Sequence, residues 1–408
     1  MKRDNSDYNK KNIALDSNIC KRTISIKVFL ISFSIVFSII NKYKYGGGLS
    51  SIFIFIIGSI FIIAINKTKL KFNINTFYLI IFWIVMTIST ATSPYTYVKQ
   101  DTISFLIFVL YISIVASINY LPFEIKFLIN AYITTAIIAS INILYNVIID
   151  NQATWNRYST SFFGVNKDPN YASASIVPAI MILLFRILYT NSKKKKSKLL
   201  SLVALLIITM GAISTGSRSS FLFVVFSYIY NLQLIILKKG KQKIKMIITT
   251  IIILIIIALS FNYIIDFLPS SLTQRLTQLS SYTNDSIRFN IWKTGIKTFF
   301  DYPIVGVGLN GANDYLSSIG YHNTHNIYLD ILTGSGILGS VIFILLLISI
   351  LRVRRQNLKF MIGLVMVMLG PLFFINGFNT PNFWTPIMLL LIINKHSYYK
   401  EAPLPNWI

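Results

Sequence analysis

Long apolar stretches recur along this chain, and they limit what it can fold into. Each is about 17 to 25 residues long, enough for a helix to cross a hydrocarbon core roughly 30 Å thick. The stretches are continuous rather than alternating, which favours helices over a barrel of strands. Because 54% of the residues are hydrophobic and only 12% are charged, we expect residues 1–408 to form a single all-α integral membrane domain with about twelve transmembrane helices.

The formal charge of +25 at pH 7 is concentrated on one side of this predicted threading. Most of the 38 lysine and arginine residues fall in alternate connections, including the runs at 193–198 and 238–245. Such an asymmetry is the rule for cytoplasmic loops. It predicts that both termini are cytoplasmic, and it accounts for the basic composition without nucleic acid, so no nucleic-acid partner is expected.

Two connections between the predicted spans are long. The spans are 24–41, 49–65, 74–92, 102–118, 127–149, 170–190, 199–214, 219–237, 246–265, 325–351, 360–376 and 382–395. They leave loops at 150–169 and 266–324 on the external side, and long loops are often functional. The larger one holds a helical pattern from Asp285 to Phe300, on which Arg288 and Trp292 share a face. We expect residues 266–324 to form one large external loop containing a short amphipathic helix near the membrane surface.

Three residues able to do chemistry converge on the predicted external side. Arg218 interrupts two apolar runs, Arg288 lies in the large loop, and His325 heads the span that follows. An arginine at the end of a membrane helix needs an anionic partner or water, and for one arginine alone the alternative is a side chain that snorkels to the interface. Guanidinium groups bind phosphate oxygens with forked donors, and histidine accepts protons near neutral pH. The set predicts handling of a lipid-linked phosphate or diphosphate, with proton removal from an acceptor.

Glycines accompany these residues. Gly306 and Gly308 would allow close approach of the backbone, but for a motif of two glycines we expect a simple turn. Three further glycines, Gly334, Gly336 and Gly339, are expected to permit close packing of the helix that follows His325.

The acidic residues do not suggest a metal site. The predicted first external loop, residues 41–48, contains no acid, and no two aspartates in the chain stand two apart. Loop aspartates such as Asp168 are expected to form solvated ion pairs with arginines such as Arg157 or Arg275. We therefore expect neither a metal ion nor another cofactor.

Several motifs occur in a fixed order. They are Ser217-Arg218 opening a span, Arg288 shortly before Ile291-Trp292, the run Tyr302-Pro303-Ile304-Val305-Gly306-Val307-Gly308, and His325-Asn326-Ile327-Tyr328-Leu329 leading to Gly334 and Gly339. This ordered set resembles the bacterial O-antigen ligase and O-antigen polymerase superfamily. The segment from Asp168 to Tyr171 also resembles the one with which polymerase-like members begin a central helix.

The resemblance implies metal-independent, inverting glycosyl transfer on the external face of the cytoplasmic (inner) membrane of a bacterium, with undecaprenyl diphosphate as the leaving group. Arg218 and Arg288 would hold the diphosphate and stabilise its growing charge. His325 would orient or deprotonate the attacking sugar hydroxyl, with His322 as the alternative histidine. The residues expected to contact substrate are Arg157, Arg275, Trp292, Asn326 and His322.

The function predicted on this basis is polymerisation of undecaprenyl-diphosphate-linked oligosaccharide repeat units into a surface polysaccharide such as O-antigen or capsule. The segment from Asp168 to Tyr171 favours a polymerase over a ligase that transfers glycan to lipid A core. A lipid-linked oligosaccharide flippase or transporter and a non-catalytic scaffold are the alternatives from other classes. The expected partners are the lipid-linked donor and acceptor, the lipid bilayer, a chain-length regulator and a flippase.

Overall fold

Nearly all of the structure is helical. The computed structural model describes residues 25–40, 60–61, 64, 70–95, 99–149, 157–162, 165–166, 168–189, 195–238, 248, 273, 283–309, 311–318, 320, 323–375 and 381–399. Its helices are α1 Ile26–Ile40, α2 Ile74–Ala91, α3 Lys99–Ser117, α4 Pro122–Ile149, α5 Pro169–Tyr189, α6 Lys195–Ser214, α7 Arg218–Lys238, α8 Thr283–Asp301, α9 Gly311–Ser318, α10 Ile327–Ile350, α11 Arg355–Leu369 and α12 Pro381–Tyr399. A 3-10 turn, Gly370–Phe374, extends α11, and the strands β1 Ser161–Phe162 and β2 Val165–Asn166 form an antiparallel pair.

The chain is a multi-pass membrane protein, and ten of the twelve predicted spans coincide with helices. Within the described residues, six helical segments are long and apolar enough to cross a bilayer, namely Ile74–Ala91, Pro122–Ile149, Pro169–Leu188, Ser197–Ser214, Ile327–Ile350 and Asn357–Phe374. Three apolar helical segments are shorter, Ile26–Ile39, Phe105–Ser117 and Phe383–Lys395. The total of twelve is not confirmed, because the predicted spans 49–65 and 246–265 lie outside the described residues apart from a few isolated positions.

Side chains that cap helices fix where two of the spans begin. Asn73 precedes α2 in extended conformation, and its Oδ1 accepts a hydrogen bond from the backbone N–H of Thr76 at 2.9 Å. Asn326 precedes α10, and its Oδ1 accepts from the N–H groups of Tyr328 and Leu329 at 3.0 and 3.2 Å. Such caps satisfy backbone donors that the first turn of a helix leaves without a partner.

Hydrogen bonds between the ends of different helices define two ends of the bundle. We call one of them the site end; it carries the end of α2 at Ala91 and the starts of α5 at Pro169 and of α10 at Ile327. We call the other end the network end. There Asn75 donates a hydrogen bond to Asn394, and Asn394 donates to the carbonyl of Ile350 at the end of α10.

The core lies between the helices at mid-height and is rich in aromatic rings. Helix α5 is the most deeply enclosed of the long spans and packs against α4, α6, α7 and α11. A second packing centre joins α2, α3, α10 and α12 through the rings of Phe82, Phe105, Phe343 and Trp384. Because lipid is as apolar as these side chains, close packing and interhelical hydrogen bonds stabilise the arrangement. The predicted central helix after Asp168 is confirmed as α5.

Candidate active site at one end of the bundle

The glycines of the large loop and those of α10 form one backbone clamp. The N–H groups of Val307 and Gly308 donate to the carbonyls of Thr333 and Gly334, both at 2.9 Å. In return the N–H of Ile337 donates to the carbonyl of Pro303 at 2.8 Å. The loop run 303–309 therefore lies inside a break in α10.

The clamp requires glycine at several positions. Gly306 has a φ of 75° and Gly336 a φ of 60°, a region that other residues rarely adopt. A Cβ at Gly306 would lie 2.4 Å from the carbonyl oxygen of Thr333, and one at Gly336 would lie 2.4 Å from that of Ile304. The Gly306-Val307-Gly308 run, for which a simple turn is expected, follows a turn at 303–305 and in addition makes close backbone contact with α10. Gly336 permits close packing as expected, but against the loop and at an interruption of the helix.

The end of α2 secures the clamp from a third side. Ser89 Oγ donates to the carbonyl of Gly334 at 2.5 Å and accepts from the N–H of Gly308 at 2.8 Å. Ser93 Oγ donates to the carbonyl of Val307 at 2.5 Å. These contacts place the break in α10 level with the last turn of α2, near the site end.

The helix predicted from Asp285 to Phe300 is confirmed as α8, which begins at Thr283 and ends at Asp301. Ile291 and Thr298 on this helix are buried, whereas Phe300 is 71% exposed. Gly295 lets the helix approach Leu329, at the start of α10, so closely that a Cβ would lie 2.7 Å from a methyl group of that side chain. Helix α8 therefore rests on the first turn of α10. Residues 266–282 of the predicted loop lie outside the described residues except for Thr273.

Contacts on both sides hold His325 in place. Trp292 Nε1, on α8, donates to the carbonyl of Thr324 at 3.0 Å. Thr324 Oγ1 donates to Asp330 Oδ1, one turn into α10. Between these contacts and the cap made by Asn326, His325 adopts a φ of 51°, a conformation that only a well-determined surrounding structure maintains. Trp292 and Asn326 thus have positioning contacts, and their predicted contacts with substrate remain predictions.

The electrostatic surroundings of His325 join two other parts of the chain. Partial burial lowers the pKa of its imidazole, the positive charge of Arg288 lowers it further, and the negative charge of Asp168 raises it. The net shift is downward, so the side chain is neutral at pH 7 and can accept a proton. Both Arg288 and Asp168 are therefore close to His325, although they are 120 residues apart in the sequence.

Asn170 connects the start of α5 to the turn that carries Arg218. Its Oδ1 accepts one hydrogen bond from Arg157 Nη2 at 2.6 Å and another from Ser217 Oγ at 2.9 Å. Ser217 follows the left-handed Gly216, and Arg218 is the first residue of α7 and is half-buried. The structure thus gathers Arg157, Arg218, Arg288 and His325 at the site end.

Sequence reasoning missed some of the residues that build this site. Asp168 Oδ1 accepts a hydrogen bond from the N–H of Asn170 at 2.8 Å, and the charge of Asp168 acts on His325, a role that the sequence did not indicate; its ion pair with an arginine stays a prediction. Asn170, Ser217 and Thr324 were not expected to act at all. The motif from Asp168 to Tyr171 was the available signal for Asn170, and the Ser217-Arg218 motif was the available signal for Ser217. The predicted substrate residues Arg275 and His322 lie outside the described residues.

Among the described residues, no group of three or more histidine, cysteine, aspartate or glutamate side chains could hold a metal ion. Within the described part of the chain, the charged side chains at the site end are arginines, a histidine and two carboxylates, that of Asp168 near His325 and that of Asp330, which accepts a hydrogen bond from Thr324. Such a donor set fits phosphate oxygens better than a divalent cation.

Comparison with known families bears on residues 202–344, about a third of the chain. This stretch matches the family model described as O-antigen ligase. It runs from α6 through α8 to the middle of α10 and includes Arg218, Arg288 and His325. No curated protein matches the chain.

Proposed function

We propose, for a multi-pass membrane glycosyltransferase whose residues 202–344 match the O-antigen ligase family, a function in polysaccharide synthesis. The chain polymerises lipid-linked oligosaccharide repeat units into a surface polysaccharide. The donor is a repeat unit on undecaprenyl diphosphate, and the acceptor is a sugar hydroxyl of a second such unit. The reaction takes place at the site end, which faces the outside of the cytoplasmic membrane.

The proposed reaction is a single displacement at the anomeric carbon of the donor. The acceptor hydroxyl oxygen attacks this carbon from the face opposite the diphosphate, so the configuration inverts. The bond from the anomeric carbon to the diphosphate oxygen breaks, and undecaprenyl diphosphate leaves with the electron pair. His325 takes the proton of the hydroxyl. Arg218 and Arg288 stabilise the charge that develops on the leaving diphosphate.

One observation carries the proposal: His325 is held at a strained φ beside Arg288, with a pKa below its ordinary value. A neutral imidazole next to a guanidinium suits a base that works beside an anionic leaving group. This backbone conformation costs about 1–3 kcal/mol. It is maintained because Thr324, the adjacent residue, is hydrogen-bonded to both Trp292 and Asp330. Such a conformation supports a catalytic role for the side chain.

The polymerase is favoured over the ligase by the part that α5 plays in the site. Asp168 and Asn170 belong to the segment that resembles polymerase-like members, and both act within the site through His325 and Ser217. A ligase that transfers glycan to lipid A core is the second candidate, because the description of the matching family names a ligase.

The broken helix α10 does not favour a transporter. Transporters place broken helices near the bilayer midplane, where the freed backbone groups bind substrate or ions. Here the break lies level with the last turn of α2, and the loop run 303–309 takes up its backbone groups. The break instead anchors the large loop to the membrane helices.

Reconstitution tests the proposal. Purified protein in liposomes receives lipid-linked repeat units alone, or repeat units together with lipid A core, in the presence of EDTA. A polymerase gives a ladder of carrier-linked oligomers from the repeat units alone, and the His325→Ala variant gives none. Transfer only to lipid A core would replace the polymerase with the ligase. No glycosyl transfer in either mixture would refute both.

A further inference from the structure

The last turns of α8 carry an exposed apolar stripe that continues into the loop. Ile296, Phe300 and Ile304 follow one another at four-residue spacing and are 47%, 71% and 63% exposed. The opposite face of the helix, with Ile291 and Thr298, is buried against the protein. Contiguous exposed apolar side chains mark contact with a membrane or with another protein.

The stripe is continuous with the lipid-facing surface of α10. The N–H of Leu338 donates to the carbonyl of Ile304 at 3.3 Å. Leu338, Val341 and Ile344 are exposed along α10, which is long and apolar enough to cross a bilayer. Acyl chains cover such side chains in a membrane. The same acyl chains reach Ile304, and Phe300 lies four residues before it.

The depth of the break in α10 follows from α2. Asn75 lies four residues from Lys71 and marks the edge of the hydrocarbon core at the network end. From Asn75 to Ser89, which bonds to Gly334 at the break, α2 advances fourteen residues, about 21 Å at 1.5 Å per residue. The core is roughly 30 Å thick, so its midplane is about 15 Å from either edge. The break and the loop run 303–309 therefore lie beyond the midplane but inside the hydrocarbon.

Helix α8 descends toward this level beside the first half of α10. Gly295 packs on Leu329, in the first turn of α10. The carbonyl of Pro303 accepts from the N–H of Ile337, two turns further along α10. Between these contacts α8 runs antiparallel to α10, and from Gly295 to Phe300 it advances about 7.5 Å. The helix thus enters the membrane alongside α10 instead of lying flat on the surface.

The polar groups near the stripe are compatible with this depth. Irregular backbone is tolerated in the hydrocarbon where its polar groups bond within the protein. The carbonyls of Pro303 and Ile304 accept from α10, and Pro303 has no N–H. Lys297 and Asp301 are exposed to one side of the stripe, and they stand one turn apart, a spacing at which opposite charges attract.

We propose that residues 296–304 are inserted into the leaflet at the site end, with the stripe against phospholipid acyl chains. The large loop is then re-entrant at its clamp rather than wholly external. The inference goes beyond the proposed function and does not depend on which reaction the site catalyses. Arg288 lies eight residues before Ile296 on the same helix, so the insertion fixes the height of its guanidinium relative to the lipid headgroups.

The test measures depth with spin labels on the full-length chain in phospholipid nanodiscs. Cys20, the one cysteine of the chain, is replaced by serine, and a nitroxide is attached in Phe300→Cys or Ile304→Cys. Power saturation reports collisions with O₂, which concentrates in hydrocarbon, and with a water-soluble nickel chelate. Both labels should collide with O₂ as often as a label in Leu338→Cys and should lose almost all collisions with nickel. The matched control Asn290→Cys, exposed on α8 ten residues before Phe300, should collide freely with nickel.

Two outcomes would overturn the insertion. Nickel collisions at both labels as frequent as in Asn290→Cys would place the stripe in water. Loss of collisions with O₂ as well as with nickel would show that a protein surface, such as a second copy of the chain, covers the stripe. If Phe300→Cys fails to fold, Tyr302→Cys, also exposed, takes its place.

Discussion

The two ends of the helix bundle hold their polar groups in opposite ways. At the network end, Asn75, Ser349 and Asn394 are each at most 5% exposed and bond to one another. Lys395 Nζ donates to three successive carbonyls, those of Ala116, Ser117 and Ile118. At the site end, Arg157, Arg218, Arg288 and His325 are only partly buried. The polar groups at the network end are buried and bonded to other groups of the protein, whereas the cations at the site end remain partly accessible to solvent or to a ligand.

This difference separates stability from catalysis within one bundle. A closed polar network in an apolar bundle fixes how the helices align, since each buried group without its partner costs about 1–3 kcal/mol. A partly exposed cluster of cations contributes less to stability and can bind an anion. Helix α10 links the two ends, because it begins at the site end and ends beside Asn394. Variants at the two ends should therefore lose different properties.

The largest expected effect is at Arg288. Arg288→Ala removes the cation that we propose stabilises the leaving diphosphate, so the transfer rate should fall by about 10²–10³-fold. The protein should still insert and unfold at the wild-type temperature. Lys293→Ala, an exposed cation on the same helix, is the matched control and should keep its activity. The measurement is kcat in proteoliposomes, and wild-type activity in Arg288→Ala would remove this residue from the site.

The next largest effect is at the clamp. Gly306→Ala places a methyl group 2.4 Å from the carbonyl oxygen of Thr333, so the loop must move away from α10. A shift of about 1 Å near a reacting group can cost about 10²-fold in rate, and some thermal stability should be lost as well. Gly320→Ala is the control for backbone strain alone, because Gly320 also has a positive φ of 88° and its Cβ would meet nothing within 4 Å. Equal losses in the two variants would show that strain, rather than the clamp, is responsible.

The contrast also explains what the sequence could predict. Hydrophobic length identifies the ten predicted spans that coincide with helices, and the helical pattern identifies α8 within the long loop, because these features are local and periodic. Arg218, Arg288 and His325 were found because a cation is conspicuous in an apolar chain. Asn170, Ser217 and Thr324 were missed because their roles depend on which helices are neighbours. The break at Gly336 was missed for the same reason, since it requires the carbonyls of a loop about 30 residues earlier.

At the network end, a variant should affect stability alone. Asn394→Leu keeps the approximate size of the side chain but leaves Asn75 Nδ2 and the carbonyl of Ile350 without their partner. The free energy of unfolding should fall by about 1–3 kcal/mol, measured as a lower thermal unfolding temperature in detergent. The rate per folded molecule should stay at the wild-type value. Lys359→Ala, at an exposed position of α11 near this end, should change neither quantity. A large loss of rate in folded Asn394→Leu would contradict the division between the two ends.

The smallest expected effect is a shift in pH dependence at the site end. The proposed base is neutral His325, so the rate should rise with pH through its pKa, which lies below the ordinary histidine value because of burial and Arg288. Asp168 opposes these effects, since its negative charge favours the protonated imidazole. Asp168→Asn keeps an acceptor for the N–H of Asn170 but removes the charge, so the pKa should fall further and the acid limb of kcat/KM should move to lower pH. Asp301→Asn, an exposed carboxylate at the end of α8, should leave the limb in place. A shift to higher pH, or none, would mean that the group titrating in the profile is not His325.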